Sequence, residues 1–174
     1  FDTETTGIDA HEAELVGLSF SVKAGEAYYV PMPKDQVECK RKLFYFKNVL
    51  ENPNITKIGQ NIKYDMTMMK WYGIELQGPM YDTMITHYLV EPDLRHKLDY
   101  LTESYLDYKM VPIEDLIEKG GKNQLSMRDV SLEKIKEYAG EDADLTLQMV
   151  TIHKKMMEEN ELNHLYNTIE EPLI

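Results

Sequence analysis

The sequence predicts an α/β domain in which a mixed β-sheet is flanked by α-helices. Three observations predict it. Alternation of apolar and polar residues, the period of a half-buried strand, is confined to residues 1–30. Helical spacing takes over afterwards, with one short strand among the helices. The longest amphipathic run, from Ser131 to about Asn160, lies close to the C-terminal end.

Phe1-Asp2-Thr3-Glu4 reads as an opening strand. Val16, Leu18, Phe20 and Val22 alternate within 14–22, Lys23-Ala24-Gly25-Glu26 is a turn, and 27–30 resumes as a strand closed by Pro31 and Pro33. The three strands are expected to form a meander. Helical spacing at Val37, Leu43, Phe46 and Leu50 predicts a helix over 34–52, ended by Pro53. A short strand at 56–59 feeds a second helix over 61–72, with Asn61 as its N-cap and Gly73 at its end. Ile62, Met69 and Tyr72 share its apolar stripe, and Met66, Met68 and Met69 are expected to pack in the core. Asp82 caps a helix over 82–90, and 96–106 is a further helix through Leu98, Leu101 and Tyr105. A short helical stretch at 113–118 precedes Gly120-Gly121-Lys122-Asn123, which reads as a mobile loop. It is not a phosphate-binding P-loop, because the glycine spacing and the following Ser or Thr are missing. The final long helix is in phase at Ile135, Tyr138, Ala139, Leu145, Met149 and Ile152, with Glu141 and Asp144 expected to face solvent.

The 174 residues suit one domain, with 43% hydrophobic and 29% charged residues, as in a water-soluble globular protein. A formal net charge of −12 argues against a dedicated duplex-DNA or membrane-surface binder, which would need clustered Lys and Arg. Cys39 is the only cysteine, so no disulfide framework or zinc cluster forms, and a reducing, cytoplasmic compartment is the expectation. No apolar run approaches the length of a membrane span. The opening strand looks shortened and the end at Glu170-Glu171-Pro172-Leu173-Ile174 stops within an apolar pattern, so a domain excised from a longer chain is expected.

Four carboxylates carry the functional signal. Asp2 and Glu4 lie two apart in a strand and point the same way, where they repel unless solvent or a divalent cation separates their charge. Asp65 lies within the apolar stripe of the second helix. Asp142, at i+4 from Tyr138 and i−3 from Leu145, lies within that of the long helix. A buried carboxylate has to be neutralised, hydrogen-bonded or bound to metal. Either Asp65 and Asp142 pair with basic residues such as Lys63 and Arg128, or they join Asp2 and Glu4 around metal.

Phe-Asp-Thr-Glu-Thr-Thr at 1–6, Gly-Gln-Asn-Ile-Lys-Tyr-Asp at 59–65 and Tyr-Ala-Gly-Glu-Asp-Ala-Asp-Leu-Thr-Leu at 138–147 resemble the three exonuclease motifs of the proofreading 3′–5′ exonuclease domain of bacterial, family A, DNA polymerase I. That domain belongs to the DEDD exonuclease superfamily. The resemblance covers essentially the whole chain, implies an RNase H-like fold, and through Tyr-x-x-x-Asp implies the tyrosine subclass. The segment Ile169–Ile174 also resembles the junction into a polymerase domain, which would follow in cis.

The resemblance implies a hydrolase that shortens a single-stranded DNA 3′ end to 5′-mononucleotides with two divalent cations, Mg²⁺ or Mn²⁺, zinc being admissible at one site. Asp2, Glu4 and Asp142 match the ligands of the first cation; Asp2 also matches the bridge to the second, which Asp65 holds largely through water. Tyr138 matches the residue that hydrogen-bonds the attacking water. A phenol is mostly protonated near pH 7, so its role would be to orient rather than to act as a base. By the same resemblance the Thr5 backbone and the Ile8 side chain contact the terminal nucleotide, and Asn61 and Tyr64 hold the penultimate phosphate or sugar. Lys63 and Arg128 are read as phosphate-neutralising or ordinary surface residues. A monomer with no membrane partner is expected. The alternatives are an RNA 3′ exonuclease of the same subclass, a phosphatase, or a non-catalytic module supporting a polymerase.

Overall fold

The computed structural model describes residues 1–117 and 126–174. Strands β1 (Asp2–Thr5), β2 (Leu15–Lys23) and β3 (Glu26–Pro31) form the expected antiparallel meander, with Thr3 opposite Leu18 and Glu4 opposite Gly17. Gly17 is required there, since a Cβ would meet the Tyr29 hydroxyl oxygen at 2.1 Å. Strands β4 (Lys57–Gly59) and β5 (Met80–Asp82) form a separate parallel pair. The Phe1 amino group donates to the Ile58 carbonyl at 2.9 Å and joins the two sheets edge to edge.

Around the strands lie α1 (Gln36–Leu50), α2 (Ile62–Trp71), α3 (Thr83–Val90), α4 (Leu98–Leu106) and α5 (Leu132–Glu159). Leu15, Leu18, Leu43, Leu50, Ile62, Met68 and Met69 form the main core. Phe1, Phe20 and Phe46 stack in a row, with ring centroids 5.7 and 5.3 Å apart. Helix α5 packs across β2 and β3 and touches α3 and α4, so it spans the molecule.

Several expectations are corrected. Helix α1 starts at Gln36 because the Asp35 side chain caps it through the Glu38 N–H. Val37 is exposed, and Cys39 takes the buried position one turn earlier than Leu43. Strand β5 was not expected: its three residues carry no alternation, and it exists by pairing with β4. Asn61 does not cap α2 with its side chain; it sits in the left-handed region at φ 60°. Asp82 does that work. Its Oδ2 accepts from Ile62 N at 2.9 Å and its Oδ1 from Asn61 N, Met84 N and Ile85 N, so one buried carboxylate caps both α2 and α3. Of the stretch expected at 113–118, the described residues form a 3₁₀ turn at Ile113–Asp115, while residue 118 and the expected Gly120–Asn123 loop lie outside the described residues.

Candidate active site

The pleat of β1 sends Asp2 and Glu4 to one face, towards α5, where Asp142 meets them. One ligand oxygen from each of Asp2, Glu4 and Asp142 lies within 4.8 Å of the others. At that separation two ionised carboxylates repel by roughly 3.5 kcal/mol at an effective dielectric constant near 20. The folded protein resists that charge. Burial first, then the Asp2, Asp142 and Asp65 charges, hold the Glu4 carboxyl well above the usual carboxylate range. Burial and Asp2 do the same for Asp142. Burial pushes Asp2 up to about 6, opposed by the amino terminus.

Asp65 comes from the first turn of α2 and is set apart from the three. Its Oδ1 accepts from Thr3 N at 2.9 Å and from Thr3 Oγ1 at 2.6 Å. Burial and the nearby Asp2 raise its carboxyl well above the ordinary value. The basic partners weighed from the sequence are engaged elsewhere. Arg128 donates to the Leu15 and Met32 carbonyls, and Lys63 to the Leu173 carbonyl. Among the described residues the ion pairs involve other carboxylates, and Glu4 Oε1 is buried without a hydrogen-bond partner. Three converging carboxylates and an orphaned buried oxygen, with no Lys or Arg side chain paired to them among the described residues, suit a hard divalent metal ion.

Tyr138 lies one turn before Asp142 on α5, and both side chains border the same cleft. Burial, Asp142 and Glu4 hold its phenol far above the ordinary tyrosine value, so it stays protonated. The cleft, of about 830 Å³, is also bordered by Asp2, Gln60, Thr146 and the segments 95–100 and 109–114. Arg95, Lys97 and Lys109 line that cleft alongside the acidic Asp99, Glu103 and Glu114. The residues expected beside the acids fall into two groups. Tyr64 donates to the Gly7 carbonyl at 2.6 Å and shares a 2.6 Å hydrogen bond with Thr5 Oγ1, which shapes the 5–8 loop. Ile8, at the tip of that loop, is 100% exposed, and the Asn61 residue is exposed as well.

The sequence reading missed Thr3, Gln60 and Glu141. Thr3 lies on the opposite face of β1 from the acid pair, so strand alternation carried the signal that it faces another element. Gln60 donates to the His96 carbonyl at 2.7 Å and ties the α3–α4 connection to the cleft. Glu141 and Asp144 do not simply face solvent. Glu141 accepts from Tyr108 Oη and Val111 N, and Asp144 accepts from Gly25 N at 2.8 Å.

A family model described as 3′–5′ exonuclease matches residues 1–161. The chain belongs to this exonuclease family. DNA polymerase I of Borreliella burgdorferi is 37% identical over 98% of this chain and 19% of its own length. DNA polymerase I of Pseudomonas aeruginosa is 38% identical over 100% of this chain and 20% of its own length. The exonuclease chain thus spans about a fifth of the length of these curated relatives. Among solved structures, Brucella melitensis NrnC bound to pGG superposes with a TM-score of 0.75 at 20% identity, over 94% of this chain and 74% of that one. NrnC with bound Mg²⁺ gives 0.74 at 20% identity, over 94% of this chain and 75% of that one. These likenesses establish the exonuclease fold, an α/β arrangement of small sheets and surrounding helices.

Proposed function

We propose that this exonuclease hydrolyses the terminal phosphodiester of a single-stranded DNA 3′ end, releases 5′-mononucleotides, and proofreads for a polymerase domain that follows in the same polypeptide. The observation that carries the reading is the convergence of Asp2, Glu4 and Asp142 within 4.8 Å beside Tyr138. Those three carboxylates would hold one divalent cation, Mg²⁺ or Mn²⁺, and Asp65 would approach a second. When bound, the cations supply charge neutralisation, activation of water and relief of charge on the leaving 3′ oxygen.

The chain's own residues do the positioning. Thr3 fixes the Asp65 carboxylate by two hydrogen bonds, so its second oxygen has a defined direction. Tyr138, kept protonated, orients the attacking water rather than removing its proton. Tyr64 braces the loop that carries the exposed Ile8, which can pack on a terminal base without reading its identity. The exposed Asn61 side chain is available to a phosphate or sugar, because Asp82 takes over capping of α2. Arg95, Lys97 and Lys109 offset phosphate charge in an otherwise acidic protein.

The test uses 5′-labelled single-stranded DNA and RNA oligonucleotides with Mg²⁺, Mn²⁺ or chelator, alongside an Asp2→Ala variant. Metal-dependent, stepwise shortening of DNA from the 3′ end, lost in the variant, is expected. Preferential shortening of RNA would move the assignment to an RNA 3′ exonuclease. Equal, absent shortening by both proteins would leave a non-catalytic module.

A further inference from the structure

We infer that Glu141 is a positioning residue for the nuclease reaction, acting through the strap 107–112 that walls the cleft. This rests on the exonuclease reading of the cleft. After α4 the chain turns at Asp107, in the left-handed region at φ 51°, and crosses α5 before the 3₁₀ turn at Ile113. The strap lines the cleft with Lys109, Met110, Val111 and Pro112, facing Asp2, Tyr138 and Asp142. Behind it lies a second hollow of about 760 Å³, bordered by Gly25, Ala27, Tyr29, Lys136 and Gly140. Val111 lines both spaces, so the strap separates the cleft from the second hollow.

Besides the Tyr108 N–H bond to the Thr102 carbonyl, the side chain that grips the strap among the described residues is the Glu141 carboxylate. Glu141 Oε1 accepts from Tyr108 Oη at 2.6 Å and Oε2 accepts from Val111 N at 2.9 Å. The first is a charge-assisted bond between hydroxyl and carboxylate, and it raises the Tyr108 phenol above its ordinary value. Glu141 directly precedes Asp142. The same turn of α5 therefore supplies an acid to the reacting centre and a clamp to the wall opposite it, which fixes the width between them. The wall presents apolar side chains and one lysine, surfaces suited to bases and a phosphate of a single strand irrespective of sequence. A group that sets this width supports substrate seating throughout the reaction. Its loss belongs in KM rather than in kcat.

The experiment compares Glu141→Ala, Glu141→Gln and Tyr108→Phe with the parent protein on two substrates: a single-stranded DNA oligonucleotide, and the p-nitrophenyl ester of thymidine 5′-monophosphate, which occupies only the reacting centre. Glu141→Ala is expected to raise KM for the oligonucleotide about tenfold with kcat within about twofold, and to leave turnover of the ester within about twofold. Tyr108→Phe, which keeps the Val111 bond, should fall between, and Glu141→Gln, whose amide can accept from Val111 N and donate to the Tyr108 hydroxyl oxygen, should lie nearest the parent. Hydrogen exchange at Val111 should accelerate in Glu141→Ala. Equal losses on both substrates, or an unchanged KM with unchanged exchange, would overturn the assignment. If the parent protein cleaves neither substrate, the exonuclease reading falls, and exchange at Val111 still decides whether Glu141 holds the strap. If Glu141→Ala fails to fold, Tyr108→Phe carries the test, because it removes one hydroxyl and leaves α5 unaltered.

Discussion

Replacing Asp142 by asparagine is expected to make the metal-free protein more stable and the metal-loaded protein less so. Asp142 faces two carboxylates within 4.8 Å, each worth roughly 3.5 kcal/mol of repulsion if both partners are ionised at an effective dielectric constant near 20. The cluster relieves part of this by retaining protons, as the upward displacement of Asp2, Glu4 and Asp142 shows. A net gain of about 1–3 kcal/mol near pH 8 remains, or a melting temperature higher by roughly 3–8 °C for a chain of this size. The pH dependence has a definite sign. A carboxyl raised in the folded state holds a proton that the unfolded chain has released, so metal-free stability falls as pH rises from the unfolded value near 4 through the folded values, about 6 for Asp2 and well above the usual carboxylate range for Glu4 and Asp142. Asparagine at 142 should flatten that fall. Mn²⁺ should reverse the ranking, since a cation at about a hundred times its dissociation constant adds about 2.7 kcal/mol to the protein that binds it. Calorimetric melting in chelator and in Mn²⁺, near pH 5.5 and near pH 8, measures all of this. The reasoning is refuted if the chelated variant melts below the parent, or if Mn²⁺ raises both proteins equally.

Tyr138→Phe keeps the ring and removes the hydroxyl; kcat should fall roughly 10- to 100-fold while the Mn²⁺-induced rise in melting temperature is unchanged, and a lost metal response would show the hydroxyl serving the acids instead of the water. Lys57 is 4% exposed and its Nζ donates to the Asn52, Ile55 and Gln77 carbonyls, so Lys57→Met should cost about 2–4 kcal/mol in urea unfolding; a change under about 0.5 kcal/mol would contradict that clamp. His87 and His153 are buried, and burial, helped by His96 beside His87 and by His87 beside His153, lowers each to about 4. Their neutral forms therefore support the fold fully above about pH 6.5, and that support, roughly 3 kcal/mol for each taken alone, is lost as pH falls towards 4. His153→Gln should flatten this acid limb in equilibrium unfolding between about pH 4 and 6.5, against the opposite slope of the acid cluster; an unchanged limb would place the proton uptake elsewhere.

The meander and the long helix were legible because each buries one face, and burial of one face writes a period into the sequence. Val16, Leu18 and Phe20 announced β2 for that reason, and the acids at 65 and 142 stood out by breaking an apolar stripe. Strand β5 was not legible: Met80, Tyr81 and Asp82 form a strand only because β4 pairs with them. The Asn61 cap failed for a related reason. Propensity sees the nearest polar residue, whereas the structure uses a carboxylate twenty-one residues away, at Asp82. Thr3 shows a third limit. Its alternation was readable, yet its task of holding Asp65 depends on which helix lies beneath β1. Glu141 was assigned to solvent by helical phase alone, because phase cannot show that a distant strap returns to cover that face.

Asp82 joins two helices at one point. The N-termini of α2 and α3 converge on a carboxylate that is 1% exposed, and the backbone amides of both satisfy it. Neither helix can fray at that end alone without stranding a buried anion, so the two should open as one cooperative unit, with matched amide-exchange protection at Ile62 and Met84. Asp65 rides on the first turn of α2. Its place beside β1 is then only as durable as the shared anchor, and the lifetime of the assembled acid cluster becomes tied to the opening frequency of α3, a helix that contributes none of the four carboxylates.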